Sequence, residues 1–282
     1  LKNNMFEGRK LLIVTKHKKE QVIAPIFEKE LGVKTIVSTL IDTDNFGTFS
    51  RETERLHDPL YTVREKCKTA MRIENFDLAI ASEGSFGTHP HLFFASADEE
   101  FLLLLDYKNN LEIVARELST ETNFAGTEVL TENDLLQFAS KVGFPSHALI
   151  LRKEAHGAES ILKGITDEAT LINSFKKLIS LYGKAFVETD MRAMHNPTRI
   201  KIIEKTTKKL INKIKSTCPE CKTPGFDVVK AISGLPCQSC GFPTKSVLSH
   251  LYSCAKCGFQ KEKRFPFHKQ IEDPMYCDVC NP

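Results

Sequence analysis

The chain has 282 residues, 41% of them hydrophobic and 27% charged, enough to bury a sizeable core and to divide into domains. No apolar run approaches the roughly 20 residues of a membrane helix, and Leu11–Val14 is too short for a secretory signal, so no membrane partner is expected. The formal charge of +3 is uneven. Residues 1–196 carry 24 Lys+Arg against 29 Asp+Glu, whereas residues 197–282 carry 15 against 7. Eight of the nine cysteines form Cys-x-x-Cys pairs after position 217, which points to metal rather than disulfides and to a cytoplasmic location.

Lys10–Thr15 has the apolar content of a strand. It runs into Lys16-His17-Lys18-Lys19 and a helix to about Leu31, whose inner face is Val22, Ile23, Ile26, Phe27 and Leu31, with Gly32 as the stop. Lysines at a strand-to-helix turn can hold phosphate, because free N–H groups of the helix start add to them; an exposed basic turn is the alternative. Thr35–Leu40 reads as a second strand leading to Asp42, Asp44 and the Gly47-Thr48-Phe49 loop with Arg51, Glu52, Glu54 and Arg55. Asp58 and Pro59 then cap and open a helix to about Ile73. Cys67 lies within it, outside any Cys-x-x-Cys pair, and reads as a small core residue.

Leu78–Ala81 is an apolar run suited to a strand buried on both faces. It is expected to open at Ser82 into a loop with Glu83, Gly84, Ser85, Gly87, His89 and His91. The carboxyl end of a core strand is where α/β folds bind ligands. Phe101–Leu105 and Leu111–Arg116 read as a hairpin about Asn109-Asn110, and Thr122–Gly126 as a polar loop. Glu132–Val142 behind Thr131 and Asp167–Tyr182 before Gly183 read as helices; His147–Leu151 and Lys184–Thr189 read as strands. The fold class expected is α/β, a mixed sheet flanked by helices over residues 1–196, with a small C-terminal tandem zinc-ribbon domain.

Residues 197–216 form a basic connector helix behind an Asn196 cap. Its apolar stripe is Ile200, Ile203, Thr207, Leu210 and Ile214. Arg199, Lys201, Lys205, Lys208, Lys209, Lys213 and Lys215 fall on the remaining faces, read as solvated or as facing a nucleic acid. In residues 217–282 the pairs are Cys218/Cys221, Cys237/Cys240, Cys254/Cys257 and Cys277/Cys280. The gaps of fifteen and nineteen residues fit two zinc ribbons of four cysteines each. Sequential pairing is preferred and cross-braced pairing stays open. Gly241, Gly258 and Asn281 suit a left-handed close of the knuckle, an advantage Lys222 lacks. Four thiolates leave no open position, so both zinc ions are expected to be structural. Phe226, Tyr252, Phe259 and their neighbours read as ribbon core, with base stacking as the alternative.

Taken whole, the chain resembles a bacterial family known as a domain of unknown function. The matching features are Thr15-Lys16-His17, Asp42 and Asp44, Gly47-Thr48-Phe49, Ala81–Gly87, Thr122–Phe124, Glu188–Arg199 and the cysteine tail. Over its first 90 residues it also remotely resembles the inosine/xanthosine triphosphate pyrophosphatases. The matches are Val14-Thr15-Lys16-His17 with Lys18-Lys19, then Gly47-Thr48-Phe49 with Glu52, then Lys66 and Ala81-Ser82-Glu83-Gly84. That likeness implies a nucleotide phosphoanhydride hydrolase using Mg²⁺ or Mn²⁺. Glu83 and Glu52 are then the expected metal carboxylates and His17 and His89 the proton carriers. Thr15, Lys16, Lys18, Lys19, Gly84 and Ser85 would receive the nucleotide or another phosphate-bearing small molecule. The alternative is a non-enzymatic nucleic-acid- or nucleotide-binding protein using the ribbons and the basic helix.

Overall fold

The computed structural model describes residues 5–42, 58–155 and 160–282. It divides into two units, Leu1–Leu210 and Ile211–Pro282. Among the described residues no helix is long and apolar enough to cross a membrane.

The first unit holds two sheets. The larger has the order β2-β1-β3-β4-β5, built from β1 (Lys10–Val14), β2 (Lys34–Val37), β3 (Leu78–Thr88), β4 (Ser96–Asp106) and β5 (Leu111–Ser119). β1 pairs in parallel with β2 and β3, whereas β3, β4 and β5 are antiparallel, so the sheet is mixed as expected. Leu11, Leu12, Ile13 and Val14 are all fully buried, the signature of a strand covered on both faces. Helix α1 (Glu20–Leu31) buries Ile23, Phe27 and Leu31 and ends on Gly32 at φ 66°. Helix α2 (Pro59–Glu74) starts where Asp58 accepts the backbone N–H groups of Leu60 and Tyr61. It packs Val63, Cys67, Ala70 and Met71 on Leu12, Val14, Ala79, Ala81, Leu103 and Leu105. Cys67 is thus a core residue.

The smaller sheet is antiparallel, in the order β6-β9-β7-β8. Its strands are β6 (Gly126–Val129), β7 (Leu149–Arg152), β8 (Leu162–Ile165) and β9 (Ala185–Thr189). Helices α3 (Glu132–Lys141) and α4 (Glu168–Tyr182) bury Leu135, Ala139, Leu171, Phe175 and Leu178 against Val129, Leu149, Leu151, Ala185 and Val187. A Thr131–Asp134 capping box opens α3, and Asp167 caps α4.

The stretch expected to be a loop from Ser82 is strand instead. β3 runs on to Thr88 because β4 begins at Ser96 and pairs with it residue for residue, from Leu78↔Asp106 to Thr88↔Ser96. Helix α5 (Pro197–Lys215) spans the division between the units. In the second unit β10 (Asp227–Ser233), β11 (Val247–Ser253) and β12 (Gln260–Arg264) form an antiparallel sheet in that order.

Candidate functional site

In the larger sheet β1 ends at Val14, opposite Ala81. From Ser82 onward β3 has only β4 beside it among the described strands, and there six ionisable side chains are buried. Lys66 from α2 pairs with Glu83. Lys19, the N-cap residue of α1, donates to Ser82 Oγ at 3.1 Å. Arg199 from α5 places its Nε 2.6 Å from Glu100 Oε1, donates Nη1 to the carbonyl of Met191 and stacks 4.8 Å over the Phe86 ring. Asp98 and Glu100 have no exposed surface, and neither Asp98 oxygen nor Glu100 Oε2 has a donor among the described residues. Thr15 Oγ1 is also buried without a partner among them.

Strand register explains the convergence. Glu100 lies opposite Gly84, and Asp98 opposite Phe86, so these residues share one face with Ser82. A Cβ on Gly84 would fall inside contact distance of Arg199 Nη2 and Glu100 Oε1. Glycine is therefore what lets the guanidinium–carboxylate pair lie against the strand. Burial raises Asp98 to about 8, with Glu100 adding and Arg199 and Lys19 opposing. Burial, then Arg199, lowers Lys19 to about 8.

The segment after β9 supplies the fourth side. Buried Asp190 accepts from Gly164 N at 3.1 Å and from Arg192 Nη2 at 2.6 Å. Asn196 caps α5 through the Arg199 N–H at 3.0 Å, holding Arg199 in its turn. His195 is lowered by burial, raised by Asp190 and lowered again by Arg192 and Lys18, which brings the basic turn beside this segment.

The residues singled out in the sequence divide accordingly. Lys19 and Gly84 are in the cluster and Thr15 is beside it, whereas Glu83 faces the other side of β3, where it pairs with Lys66. His17 and Lys18 take left-handed conformations, φ 66° and 63°, in the β1–α1 turn, and Lys16 pairs with Asp42. Ser85 lies opposite Glu99, on the other strand face from Gly84. His89 closes the β3–β4 turn, its Nδ1 accepting the N–H groups of His91 and Leu92; six residues of strand rise put it about 20 Å from Glu83. Asp44, Gly47-Thr48-Phe49 and Glu52 lie outside the described residues. Asp98, Glu100 and Arg199 were missed. Arg199, read as part of a solvated face, is buried, because it stands three and four residues before buried Ile202 and Ile203.

In the second unit the cysteines form two clusters, Cys218/Cys221/Cys254/Cys257 and Cys237/Cys240/Cys277/Cys280. This corrects the preferred sequential pairing: the arrangement is cross-braced. Sγ–Sγ separations are 3.7 Å for Cys218–Cys257, 3.5 Å for Cys221–Cys254, 3.8 Å for Cys237–Cys280 and 3.6 Å for Cys240–Cys277. Tetrahedral thiolates at about 2.3 Å from zinc would stand about 3.8 Å apart, so both clusters fit the ion. Gly241 and Gly258 close their knuckles at φ 73° and 74°, and Lys222 does the same at φ 62°. Asn281 donates its N–H to Cys277 O without a left-handed turn. Phe226, Tyr252 and Phe259 pack beside the first cluster as core, whereas Phe242 and Phe267 are exposed.

No curated protein matches the chain, and the pyrophosphatase likeness finds no support there. A solved structure with partial similarity is the lipoprotein GNA1162 from Neisseria meningitidis, at 15% identity over 48% of this chain and 94% of that one. Its TM-score of 0.20 is below that of a shared fold. Residues 66–282, which include Lys66, Glu83, Asp98, Glu100, Arg199 and all eight clustered cysteines, match the family described as "Domain of unknown function (DUF6671)", and the chain belongs to that family.

Proposed function

We propose that the Leu1–Leu210 unit binds the phosphates of a nucleotide, or of a similar small molecule, and hydrolyses a phosphoanhydride bond with Mg²⁺ or Mn²⁺. The two cysteine clusters, on this reading, hold structural Zn²⁺. The observation that carries it is the burial of Lys19 and Arg199 with Asp98 and Glu100 on one face of the β3–β4 hairpin, with the buried Lys66–Glu83 pair on the other face of the same strand end. Ionised groups taken out of water cost several kcal/mol each, and apolar replacements are often as stable or more so. Six such groups at one strand end are therefore poor structural material, which favours a ligand-binding role.

Arg199 and Lys19 would neutralise phosphate oxygens, the guanidinium offering a planar fork and the ammonium a point charge. Lys66 would hold Glu83 in place. A bound divalent ion would supply charge neutralisation and an activated water. Water attacks phosphorus, the bridging P–O bond breaks, and the proton from water passes to an imidazole. His195, lowered by burial, offers a free lone pair at neutral pH, and His17 adjoins Lys18 in the same turn.

The test is phosphate or pyrophosphate release from a broad nucleotide panel with Mg²⁺ and Mn²⁺, using the full zinc-loaded chain. Turnover is expected, and Arg199→Met should lower it by about a hundredfold, the usual effect of removing one charge-stabilising donor. No turnover in the natural protein, or equal rates in a folded variant, would defeat the reading.

A further inference from the structure

We infer that Asp98 and Glu100 form the binding site of one hard divalent cation. The inference rests on the phosphoanhydride reading and deepens it by naming the metal ligands, in place of Glu83 and Glu52. Asp98 and Glu100 are alternate residues of β4 and project to the same face. Three of their four carboxylate oxygens, Asp98 Oδ1 and Oδ2 and Glu100 Oε2, are buried with no donor among the described residues. The nearby cations are already engaged: Lys66 with Glu83, Lys19 with Ser82 Oγ, and Arg199 with Glu100 Oε1 and the Met191 carbonyl. Each buried polar atom left without a partner calls for an ion, a water or a proton.

A shared proton would satisfy one line between the two carboxyl groups and leave another oxygen bare. A cation lying between the two carboxylates would engage all three oxygens. Charge balance favours it too. With Asp98 ionised, as ion binding requires, Lys19 and Arg199 offset Asp98 and Glu100, and Lys66 offsets Glu83 on the other face of β3, so the residues alone supply no net charge with which to attract a polyanion. A divalent ion supplies +2. An oxygen-only donor set selects Mg²⁺, Mn²⁺ or Ca²⁺ over zinc or copper. Two carboxylates are the number Mg²⁺ takes when water and phosphate oxygens complete its shell. Among the described residues, groups of three or more His, Cys, Asp or Glu ligands occur only in the cysteine clusters, so the proposed site is of the open, substrate-completed kind.

The probe is Mn²⁺ alone, titrated into the zinc-loaded full chain without nucleotide and followed by the paramagnetic resonance signal of the free ion. One site per chain is expected, weakened at least tenfold in Asp98→Asn and in Glu100→Gln. Mn²⁺ should also raise the melting temperature of the natural protein and of neither variant, each checked for folding by circular dichroism. No binding at millimolar Mn²⁺, or equal binding in a folded variant, overturns the site. So does an infrared carbonyl band of a protonated carboxyl at pH 7 that Asp98→Asn removes and Mn²⁺ leaves unchanged. Nucleotide turnover persisting in Asp98→Asn overturns the ion site alone. Mn²⁺ binding lost in the variants, with a nucleotide panel that stays silent, supports the ion site and sinks only the hydrolase reading.

Discussion

Lys19 shows how a single position couples burial to chemistry. Desolvation and the neighbouring Arg199 bring its ammonium down to about 8. Below that pH the side chain is charged and can hold a phosphate oxygen; above it the charge is gone. Because the folded value lies below the 10.5 of a free lysine, the folded state binds fewer protons between the two values, and stability falls as pH drops from about 10.5 to about 8, below which this group adds no further slope. Affinity for pyrophosphate is therefore expected to fall up to about tenfold per pH unit above 8, as the charged fraction does. Lys19→Arg, charged throughout, should flatten that limb. Calorimetric titration between pH 7 and 10 checks both statements, and a parallel decline in the variant would refute the role given to Lys19. The sequence showed Lys19 as one of three lysines in a turn. What it hid was depth: Lys18 is exposed while its neighbour is buried, a difference made by α1 beginning at Glu20.

At the scale of elements, strand alternation decides the zinc pairing. Each strand of an antiparallel sheet carries the chain to the opposite end, and the seven residues of β11 span about 24 Å. Knuckle Cys218–Cys221 precedes β10 and knuckle Cys254–Cys257 joins β11 to β12, so both stand at one end. Cys237–Cys240, between β10 and β11, and Cys277–Cys280, after β12, stand at the other. The cysteine gaps alone fit sequential pairing equally well; the strands between them carried the missing information. Double variants discriminate the two arrangements. Cys221→Ser with Cys254→Ser disables one cross-braced cluster, and one zinc per chain should remain by metal analysis. Cys221→Ser with Cys240→Ser disables both, leaving none. The reverse pattern would restore sequential pairing. The same lesson applies to β3 and β4. Asp98, Glu99 and Glu100 look like loop residues, yet Asp98 and Glu100 repeat with the period of a strand whose buried face continues through Leu102 and Leu104. Amphipathic helices such as α4, with Asp167 before and Gly183 after, were legible because propensity, capping and periodicity agreed. β6 and β8, four residues each, carried too little pattern to be read.

On the scale of the molecule, the uneven charge changes meaning once the clusters are placed. The Ile211–Pro282 unit has ten Lys+Arg and six Asp+Glu. Eight thiolates and two Zn²⁺ would add −4 and make it neutral, which removes the basicity that suggested a nucleic-acid partner. The positive charge that the proposed function uses is instead in the first unit, which has 29 Lys+Arg against 30 Asp+Glu yet buries Lys19, Lys66 and Arg199 near the end of β1. Of the residues singled out in the sequence, Lys19 and Gly84 fall in that region; Asp98, Glu100 and Arg199 are brought to it by hairpin register and the Asn196-capped start of α5. On the proposed function this cluster takes phosphate. Calorimetric titration of pyrophosphate with Mg²⁺ into the natural protein and into Arg199→Met tests it most directly. The account predicts saturable binding in the first and at least tenfold weaker binding in the second; no binding to the natural protein, or equal affinity in both, would contradict it.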